Sequence, residues 1–220
     1  MSAATLVTAP YEFDICPGIV SLMAPIRAIL PDDLAAGEPV FAEEWQASRR
    51  FSPRRRREFL AGRWLARLAM GRLGLPASPL PRGVDGAAQW PVSVRGSISH
   101  TDAWVAVAVT TLDGIRGLGI DMEVSGAVEP SLRGRIVAAP GEDRIDLTVL
   151  FSLKEAIYKA VHPVVGEDLD YPDITVRPTP WGTYRAHVSG KLASAGPIAS
   201  GVGYHVEFPG HHLTAFVVEA

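Results

Sequence analysis

The amino-acid sequence predicts an α+β protein of two similar lobes, each with a long helix packed on a mainly antiparallel sheet of three to five strands. Two long segments with helical periodicity begin near residues 53 and 147. Each is followed by several short apolar segments with the pattern of strands. The second helix also aligns with the first, Phe151–Glu155 against Phe59–Arg63, as an internal duplication would produce.

The composition is that of an ordinary soluble globular protein. Of its 220 residues, 47% are hydrophobic and 20% are charged, and the net charge is -3, which excludes a disordered tail or a coiled coil. No stretch approaches the roughly 18 consecutive apolar residues of a membrane helix, and the amino terminus lacks the pattern of a signal peptide. The single cysteine, Cys16, cannot form an internal disulfide. We therefore expect a cytoplasmic protein without a membrane span.

The first long helix is predicted to begin at Pro53, with Ser52 as its N-cap. One apolar face recurs at helical spacing and belongs in a core: Leu60, Trp64 and Leu68. A connection rich in proline and glycine, Pro76–Pro91, follows and predicts a loop.

From Ser97 onward the pattern is mostly that of strands. The first two are expected at Trp104–Val109 and Gly117–Val124, with Asp113-Gly114 as a hairpin-turn signal between them. After irregular structure in residues 125–146, the second helix should run from Leu147 to about Ala160. The remaining strands are expected near Asp173–Val176, Thr183–Val188, Tyr204–Phe208 and Leu213–Val218. We place the domain boundary between residues 1–112 and 113–220, with a ligand site at the interface.

Five charged residues of the second lobe are candidates for chemistry. Asp121 and Glu123 lie two apart on a strand, so both carboxylates project from one face, where Mg²⁺ would relieve their repulsion. The alternative is a solvent-facing pair at a strand end. Glu155 and Lys159 share a helix face, and an ordinary ion pair is the alternative there. Lys154 lies in an otherwise apolar helix that we expect to be largely buried. A buried charge needs a partner, and a phosphate with a metal ion would supply one.

The first lobe is rich in arginine, with six arginines between positions 49 and 57. A solvated basic face is the simplest interpretation, and nucleic-acid binding is the next. The net charge of -3, the few aromatic residues nearby and the lack of a nucleic-acid-binding signature argue against the latter. His100, at a junction between loop and strand, is either structural or an anion contact. The signatures of nucleotide folds and serine hydrolases are absent.

Five segments, in this order along the chain, resemble the 4′-phosphopantetheinyl transferases, in particular the two-lobed monomeric type that includes siderophore-associated bacterial enzymes. They are REFLAGRWLAR, QWP, GSISH, GLGIDMEV and FSLKEAIYKA. The resemblance covers roughly residues 49–161. It implies the pseudo-duplicated fold of that family, with the nucleotide end of coenzyme A held by residues 1–112 and the metal and pyrophosphate by residues 113–220.

The resemblance also implies an activity. Such a Mg²⁺-dependent enzyme transfers the 4′-phosphopantetheine arm of coenzyme A to a serine hydroxyl of an apo acyl or peptidyl carrier protein, and releases adenosine 3′,5′-bisphosphate. The carrier would serve fatty-acid, polyketide or nonribosomal peptide biosynthesis, siderophores included. We expect a cytoplasmic monomer whose partners are carrier proteins and not nucleic acids. A module that binds coenzyme A or a carrier protein without transfer is the alternative.

By the same resemblance, three acidic residues bind the metal: Asp121, Glu123 and Glu155. Asp121, Glu155 and Lys159 are then the catalytic residues, with Glu155 removing the proton of the attacking serine. Lys159 would neutralise the pyrophosphate and the leaving bisphosphate, and Lys154 would bind the same phosphates.

The resemblance assigns the other end of the donor to the first lobe. Arg55, Arg63 and His100 match positions that hold the 3′-phosphate and adenine, and Ser99 belongs to the same GSISH segment. Arg82 takes the place of a basic residue that reaches the donor phosphates. The chain departs from the family pattern just before Trp90, where relatives carry a basic residue followed by Glu-Pro.

Overall fold

The computed structural model describes residues 9–30, 40–84, 86–188 and 192–220. The chain divides into two compact units, Met1–Thr111 and Leu112–Ala220. Each unit contains one long helix and one antiparallel sheet, so the predicted α+β class is confirmed. Among the described residues, no helix combines the length and the apolar character needed to cross a membrane.

The first unit has a four-stranded sheet in the order β1-β2-β4-β3, with every neighbouring pair antiparallel. Its strands are β1 (Tyr11–Glu12), β2 (Val20–Pro25), β3 (Arg95–His100) and β4 (Trp104–Thr110). Its helices are α1 (Ile26–Ile29), α2 (Ala42–Ser48) and the long α3 (Pro53–Arg72).

Helix α3 begins where the sequence predicts. The Ser52 hydroxyl accepts a hydrogen bond from the backbone N–H of Arg55 at 3.2 Å, which satisfies one of the donors that a helix start leaves open. Gly62 lets α3 lie close to β3, because a Cβ atom there would be 2.8 Å from Cγ2 of Ile98. Residues of α3, β2 and β4 form the core of this unit, among them Leu60, Leu22 and Val107.

The second unit has a five-stranded antiparallel sheet in the order β5-β9-β8-β7-β6. Its strands are β5 (Ile115–Val124), β6 (Ile174–Pro178), β7 (Tyr184–Val188), β8 (Val202–Phe208) and β9 (His211–Glu219). Its helices are α4 (Arg133–Ile136), the long α5 (Leu147–Val165) and α6 (Ala195–Ser200).

The two units share a topology. In each unit, the last strand of the sequence lies between two others. It pairs on one side with the strand that precedes the long helix and on the other side with the strand that immediately precedes it in the sequence: β2-β4-β3 in the first unit and β5-β9-β8 in the second. The second unit adds the hairpin β6–β7 at the far edge. The same arrangement occurring twice supports the internal duplication that the sequence suggests.

Two local expectations were wrong. Asp113-Gly114 does not close a hairpin, because β4 pairs with β2 and β3 while β5 pairs with β9 in the other sheet. Helix α5 continues past Ala160, since Pro163 lies in the last turn, where a missing N–H costs only one helical hydrogen bond. The helix ends at Gly166, whose φ of 69° is left-handed and whose N–H donates to the His162 carbonyl at 2.8 Å.

Only β4 of the first sheet was predicted with bounds, and its other three strands, β1, β2 and β3, were not. β2 fills the centre of that sheet between β1 and β4. The sequence of β2, VSLMAP, is a short and mostly apolar run that follows Gly18 and ends in Pro25, which is a pattern typical of a buried strand.

Helix α5 lies unusually close to β5. A Cβ atom at Gly119 would be 2.6 Å from the amide nitrogen of Ala160 and closer still to the Ala156 carbonyl oxygen. A Cβ atom at Gly117 would overlap the Ala160 carbonyl oxygen. Because backbone atoms of the helix fill the space that side chains would need, only glycine permits this approach.

We expect Gly119→Ala to lower the free energy of unfolding by about 1–3 kcal/mol or more, because the added methyl group meets helix backbone that cannot rotate away. Urea denaturation followed by circular dichroism measures the loss. Gly134→Ala is the matched control, since nothing lies within 4 Å of a Cβ atom at that helical position. Equal stability of the two variants would contradict the close packing of α5 on β5.

Candidate functional site

The two acidic residues of β5 lie on the strand face that contacts α5. Side chains alternate along a strand, so Asp121 and Glu123 share a face with Gly117 and Gly119. The glycines bring the helix to this face, and the acidic residues follow immediately along the strand. The helix presents Glu155 and Lys159 there, one turn apart.

Asp121 and Lys159 form a hydrogen-bonded ion pair between the strand and the helix. The Lys159 ammonium donates to Oδ1 of Asp121 at 2.6 Å. The Asp121 side chain is 6% exposed and that of Lys159 is 30% exposed, so the pair is only partly open to water. A cation held in this position can meet a phosphate oxygen without first being drawn in from solvent.

Glu123 is affected by both neighbouring carboxylates. Burial raises the pKa of Glu123 to about 7, and the negative charges of Asp121 and Glu155 act in the same direction. The positive charge of Lys159 opposes them. Glu123 is therefore close enough to both carboxylates for their charges to act on it, and a further cation would relieve that repulsion.

The side chains of this cluster are of a type that can bind Mg²⁺. Carboxylate oxygens are its preferred protein ligands, and it retains water and phosphate oxygens in its shell. Within the described residues, no three side chains of His, Cys, Asp or Glu form a group arranged to hold a metal ion. Asp121 already contacts Lys159, and Glu155 contacts a tyrosine. The residue types thus suit the metal, while their present hydrogen bonds are to protein groups.

Glu155 has a partner that the sequence did not indicate. The hydroxyl of Tyr171 donates to Oε1 of Glu155 at 2.5 Å. Burial raises the pKa of Tyr171, and the hydrogen bond to Glu155 and its charge raise it further, so the phenol remains a donor at neutral pH. Tyr171 begins a single turn of 3₁₀ helix, Tyr171–Asp173. Its sequence separation from Glu155 carries no helical or strand period that could have revealed the contact.

A cavity of about 260 Å³ lies beside Glu155 and Tyr171 in the second unit. Its walls are mostly polar and include Arg135, Tyr158 and Asp168. The hydroxyl of Tyr158 donates to Oδ1 of Asp168 at 3.2 Å on one side of it.

The contacts of Lys154 in the structure are with protein groups rather than with the space where a phosphate contact was expected. Its ammonium is fully buried, with a side-chain exposure of 0%, and all three of its N–H donors have protein acceptors. They are the carbonyl oxygen of Ile136 at 2.6 Å, the carbonyl oxygen of Tyr171 at 3.0 Å and Oε2 of Glu142 at 3.2 Å. Burial lowers the pKa of Lys154, and the charge and hydrogen bond of Glu142 oppose that lowering. In this arrangement no donor is left for a phosphate.

Glu142 is the buried counter-charge. Its two oxygens also accept three backbone N–H groups, those of Ala138 at 2.6 Å, Ala139 at 3.3 Å and Val176 at 2.6 Å. The pair therefore joins α5 to the irregular segment before it and to β6. The sequence implied that Lys154 needs a partner, but no periodicity links it to a glutamate in an irregular segment.

The first unit contains a second charged cluster, centred on the buried carboxylate of Glu58. Glu58 accepts hydrogen bonds from Nε of Arg54 at 2.9 Å and from Nη1 of Arg55 at 3.2 Å. Nδ1 of His100 lies 3.7 Å from the same carboxylate, and Nε2 of His100 contacts Nη1 of Arg55. Burial alone would raise the pKa of Glu58, but these cationic partners hold it below its usual value. Glu58 thus brings Arg55 and His100 together.

Arg63 is a buried guanidinium with an unused donor. It is 6% exposed, its Nε donates to the Leu80 carbonyl at 3.4 Å, and its guanidinium lies 4.1 Å from the centroid of the Phe59 ring. Within the described residues, Nη2 has no hydrogen-bond partner. Burial lowers the pKa of Arg63 to about 10, although the charge of Glu44 opposes the change. Three guanidinium groups add to the lowering: Arg55, Arg67 and Arg82.

Of the remaining two predicted binding residues, Arg82 lies close enough to Arg63 for its charge to lower the pKa of Arg63, whereas Ser99 faces away from the others. Arg82 forms an isolated bridge with Ala88 in a tight turn, where a Cβ atom at Gly86 would be 2.7 Å from Nη2 of Arg82. Ser99 precedes His100 on β3, so alternation directs its side chain to the opposite face of the strand. The structure therefore groups Arg55 with His100 and separates Ser99 from both.

We expect Lys154→Met to lower the free energy of unfolding by about 3–5 kcal/mol, because it leaves the buried Glu142 carboxylate without its counter-charge. Urea denaturation of the purified protein measures the change. Arg135→Met is the control, because the Arg135–Asp170 pair is exposed, at 64% and 56%, and should change stability by about 1 kcal/mol or less. If both variants were equally stable, Lys154 could not be the buried partner of Glu142.

Two family models match the chain, one in each unit. The 4'-phosphopantetheinyl transferase N-terminal domain matches residues 43–110, and the 4'-phosphopantetheinyl transferase superfamily matches residues 117–212. The matches span α3 and the GSISH segment in the first unit, and β5 and α5 in the second.

Named relatives agree with these models. The 4'-phosphopantetheinyl transferase Svp of Streptomyces mobaraensis is 35% identical over 184 residues, which are 78% of this chain and 72% of that protein. The 4'-phosphopantetheinyl transferase Npt of Nocardia iowensis is 32% identical over 65% of this chain and 66% of that protein. The 4'-phosphopantetheinyl transferase PptT of Mycobacterium tuberculosis is 32% identical over 54% of this chain and 57% of that protein.

A solved structure of holo-(acyl-carrier-protein) synthase from Thermotoga maritima aligns with 48% of this chain and 64% of its own, with a TM-score of 0.40 and 20% identity. The sequence matches extend across both units of the chain. The chain therefore belongs to the 4′-phosphopantetheinyl transferase superfamily.

Proposed function

We propose that this protein transfers the 4′-phosphopantetheine arm of coenzyme A to a serine hydroxyl of an apo acyl or peptidyl carrier protein, and releases adenosine 3′,5′-bisphosphate. Membership of the superfamily supports the reaction class. The observation that carries the proposal is the cluster built on the hydrogen-bonded pair of Lys159 and Asp121, with Glu123 on the same strand face and Glu155 one turn before Lys159. Such a cluster suits a pyrophosphate that arrives with a divalent cation.

In the transfer, the serine Oγ attacks the phosphorus that carries the pantetheine arm. A new bond forms between phosphorus and the serine oxygen, and the bond to the bridging oxygen of the pyrophosphate breaks. The bisphosphate leaves with that electron pair, and the serine proton passes to the Glu155 carboxylate, directly or through a water. Lys159 places its positive charge where the leaving phosphate gains negative charge.

Asp121, Glu123 and Glu155 would hold Mg²⁺, which supplies positive charge to the pyrophosphate oxygens during the transfer. Lys159 bonds to Asp121 in the structure, so in our proposal it also keeps this carboxylate turned toward the helix. Mg²⁺ dependence is part of the proposal, as is an acyl or peptidyl carrier as the acceptor.

The first unit would recognise the nucleotide end of the donor. The buried Arg63 guanidinium has an unused donor at Nη2 and lies among other arginines, which favours a multiply charged anion such as the 3′-phosphate. Arg55 and His100, brought together by Glu58, would contribute to the same recognition. The roles of Arg82 and Ser99, a shared active site, the monomeric state and the cytoplasmic location stay predictions from the sequence.

The direct test incubates the protein with coenzyme A, Mg²⁺ and a panel of apo carrier proteins, and weighs each carrier intact by mass spectrometry. The proposal predicts a gain of one phosphopantetheine that a chelator abolishes. A protein that binds coenzyme A but modifies no carrier would instead be a binding module, and the proposed transfer would be wrong.

We expect Asp121→Ala and Glu155→Ala each to reduce the transfer rate at least about 100-fold, because each removes negative charge on which the cation and the proton transfer depend. The same mass-spectrometric assay gives the rates, and circular dichroism checks the fold. Glu129→Ala, at an exposed acidic residue of the same unit, should behave as the unchanged protein. Transfer at the normal rate in either site variant would refute the assignment.

We expect Arg63→Met to lose most of the preference for coenzyme A over 3′-dephospho-coenzyme A, by about 10- to 100-fold in kcat/KM, which is the size of one charged hydrogen bond. The rate with 3′-dephospho-coenzyme A should stay close to that of the unchanged protein. Arg50→Ala, an exposed arginine of the same unit just before α3, is the control. Undiminished discrimination in Arg63→Met would exclude Arg63 from 3′-phosphate recognition.

A further inference from the structure

We propose that Tyr171 is a positioning residue for Glu155: its hydroxyl holds one carboxylate oxygen in place and leaves the other to meet the metal and the serine proton. This inference rests on the proposed function, because it assigns Glu155 both of those tasks. The hydrogen bond that carries it is the 2.5 Å contact from the Tyr171 hydroxyl to Oε1 of Glu155.

Two neighbouring residues of α5 hold Tyr171 at its two ends. The Lys154 ammonium donates to the backbone carbonyl of Tyr171 at 3.0 Å, while the next residue, Glu155, accepts from its phenol. Lys154 is itself fixed by the buried carboxylate of Glu142 at 3.2 Å. The buried ion pair therefore sets where the phenol lies, and the phenol sets where the Glu155 carboxylate lies.

Further contacts limit the movement of the Tyr171 ring. The centroid of the Tyr171 ring lies 5.4 Å from that of the Phe151 ring, with an angle of 38° between the two planes. The Arg135 guanidinium lies 5.7 Å from the centroid of the Tyr171 ring. The backbone N–H of Tyr171 donates to Oδ1 of Asp170 at 2.8 Å. A phenol held at backbone, ring and hydroxyl has little freedom left, which makes it an effective anchor for a partner.

The chemical reason for such an anchor is that Glu155 has to serve two demanding partners with one carboxylate. A free glutamate side chain rotates among several conformers, and each unproductive one reduces both metal affinity and the fraction of enzyme ready for proton transfer. Hydrogen-bond partners of metal-binding side chains typically contribute about 10- to 100-fold to affinity or activity.

Tyr171→Phe tests the proposal, because it removes only the hydroxyl and keeps the ring. Titration with Mn²⁺ alone, followed by electron paramagnetic resonance, gives the metal Kd independently of catalysis. Steady-state transfer gives kcat and the KM for coenzyme A, and thermal denaturation gives Tm. Tyr184→Phe is the matched control, since it removes a half-buried phenol of the same unit, on strand β7.

We expect Tyr171→Phe to weaken Mn²⁺ binding and to lower kcat by about 10-fold or more each, with the KM for coenzyme A within twofold and Tm nearly unchanged. Tyr184→Phe should match the unchanged protein in Kd and kcat. A merely structural role would instead lower Tm and leave the metal Kd of the folded fraction unaltered, which would overturn the proposal.

The result also separates this inference from the function on which it rests. If the unchanged protein binds Mn²⁺ and modifies carriers, but Tyr171→Phe does both equally well, the positioning role is wrong and the transferase function stands. If the unchanged protein does neither, the proposed function fails, and the role of Tyr171 fails with it.

Discussion

The close approach of α5 to β5 is the constraint on which the second unit depends. Gly117 and Gly119 leave room for the helix backbone to lie directly against the strand, and the same strand face continues into Asp121 and Glu123. Because the helix is this near, its Lys159 reaches Asp121 at 2.6 Å. In the segment GLGIDMEV, the glycines therefore set the distance between the strand and the helix, and the acidic residues lie where the helix side chains can reach them.

A buried polar network then fixes the second side of the cluster. Lys154 and Glu142 give up hydration, and such a pair is stable only when every donor and acceptor has a partner. The acceptors of Lys154 come from Ile136, Tyr171 and Glu142, so the network joins α5 to the end of α4 and to two single turns of 3₁₀ helix. In our proposal, the position of Glu155 thus depends on buried groups that do not themselves contact the substrate.

Much of the site could be predicted from the sequence, because its local geometry follows from two periods. Alternation places Asp121 and Glu123 on one strand face, and helical spacing places Glu155 near Lys159. Contacts that follow no helical or strand period could not be predicted: Tyr171 and Glu142 lie in single turns of 3₁₀ helix far from Lys154 in the sequence, and the burial of Lys154 depends on both. The hairpin expected at Asp113-Gly114 failed for the same reason, since strand pairing in this chain depends on distant residues such as those of β9.

The most direct test of the central claim is to locate the metal. Crystals of the protein grown with coenzyme A and Mn²⁺ would show the ion by its anomalous scattering. Our account predicts one peak within about 2.3 Å of carboxylate oxygens from Asp121, Glu123 and Glu155 and in contact with the pyrophosphate. Bound coenzyme A with its pyrophosphate and metal away from these three residues would contradict it.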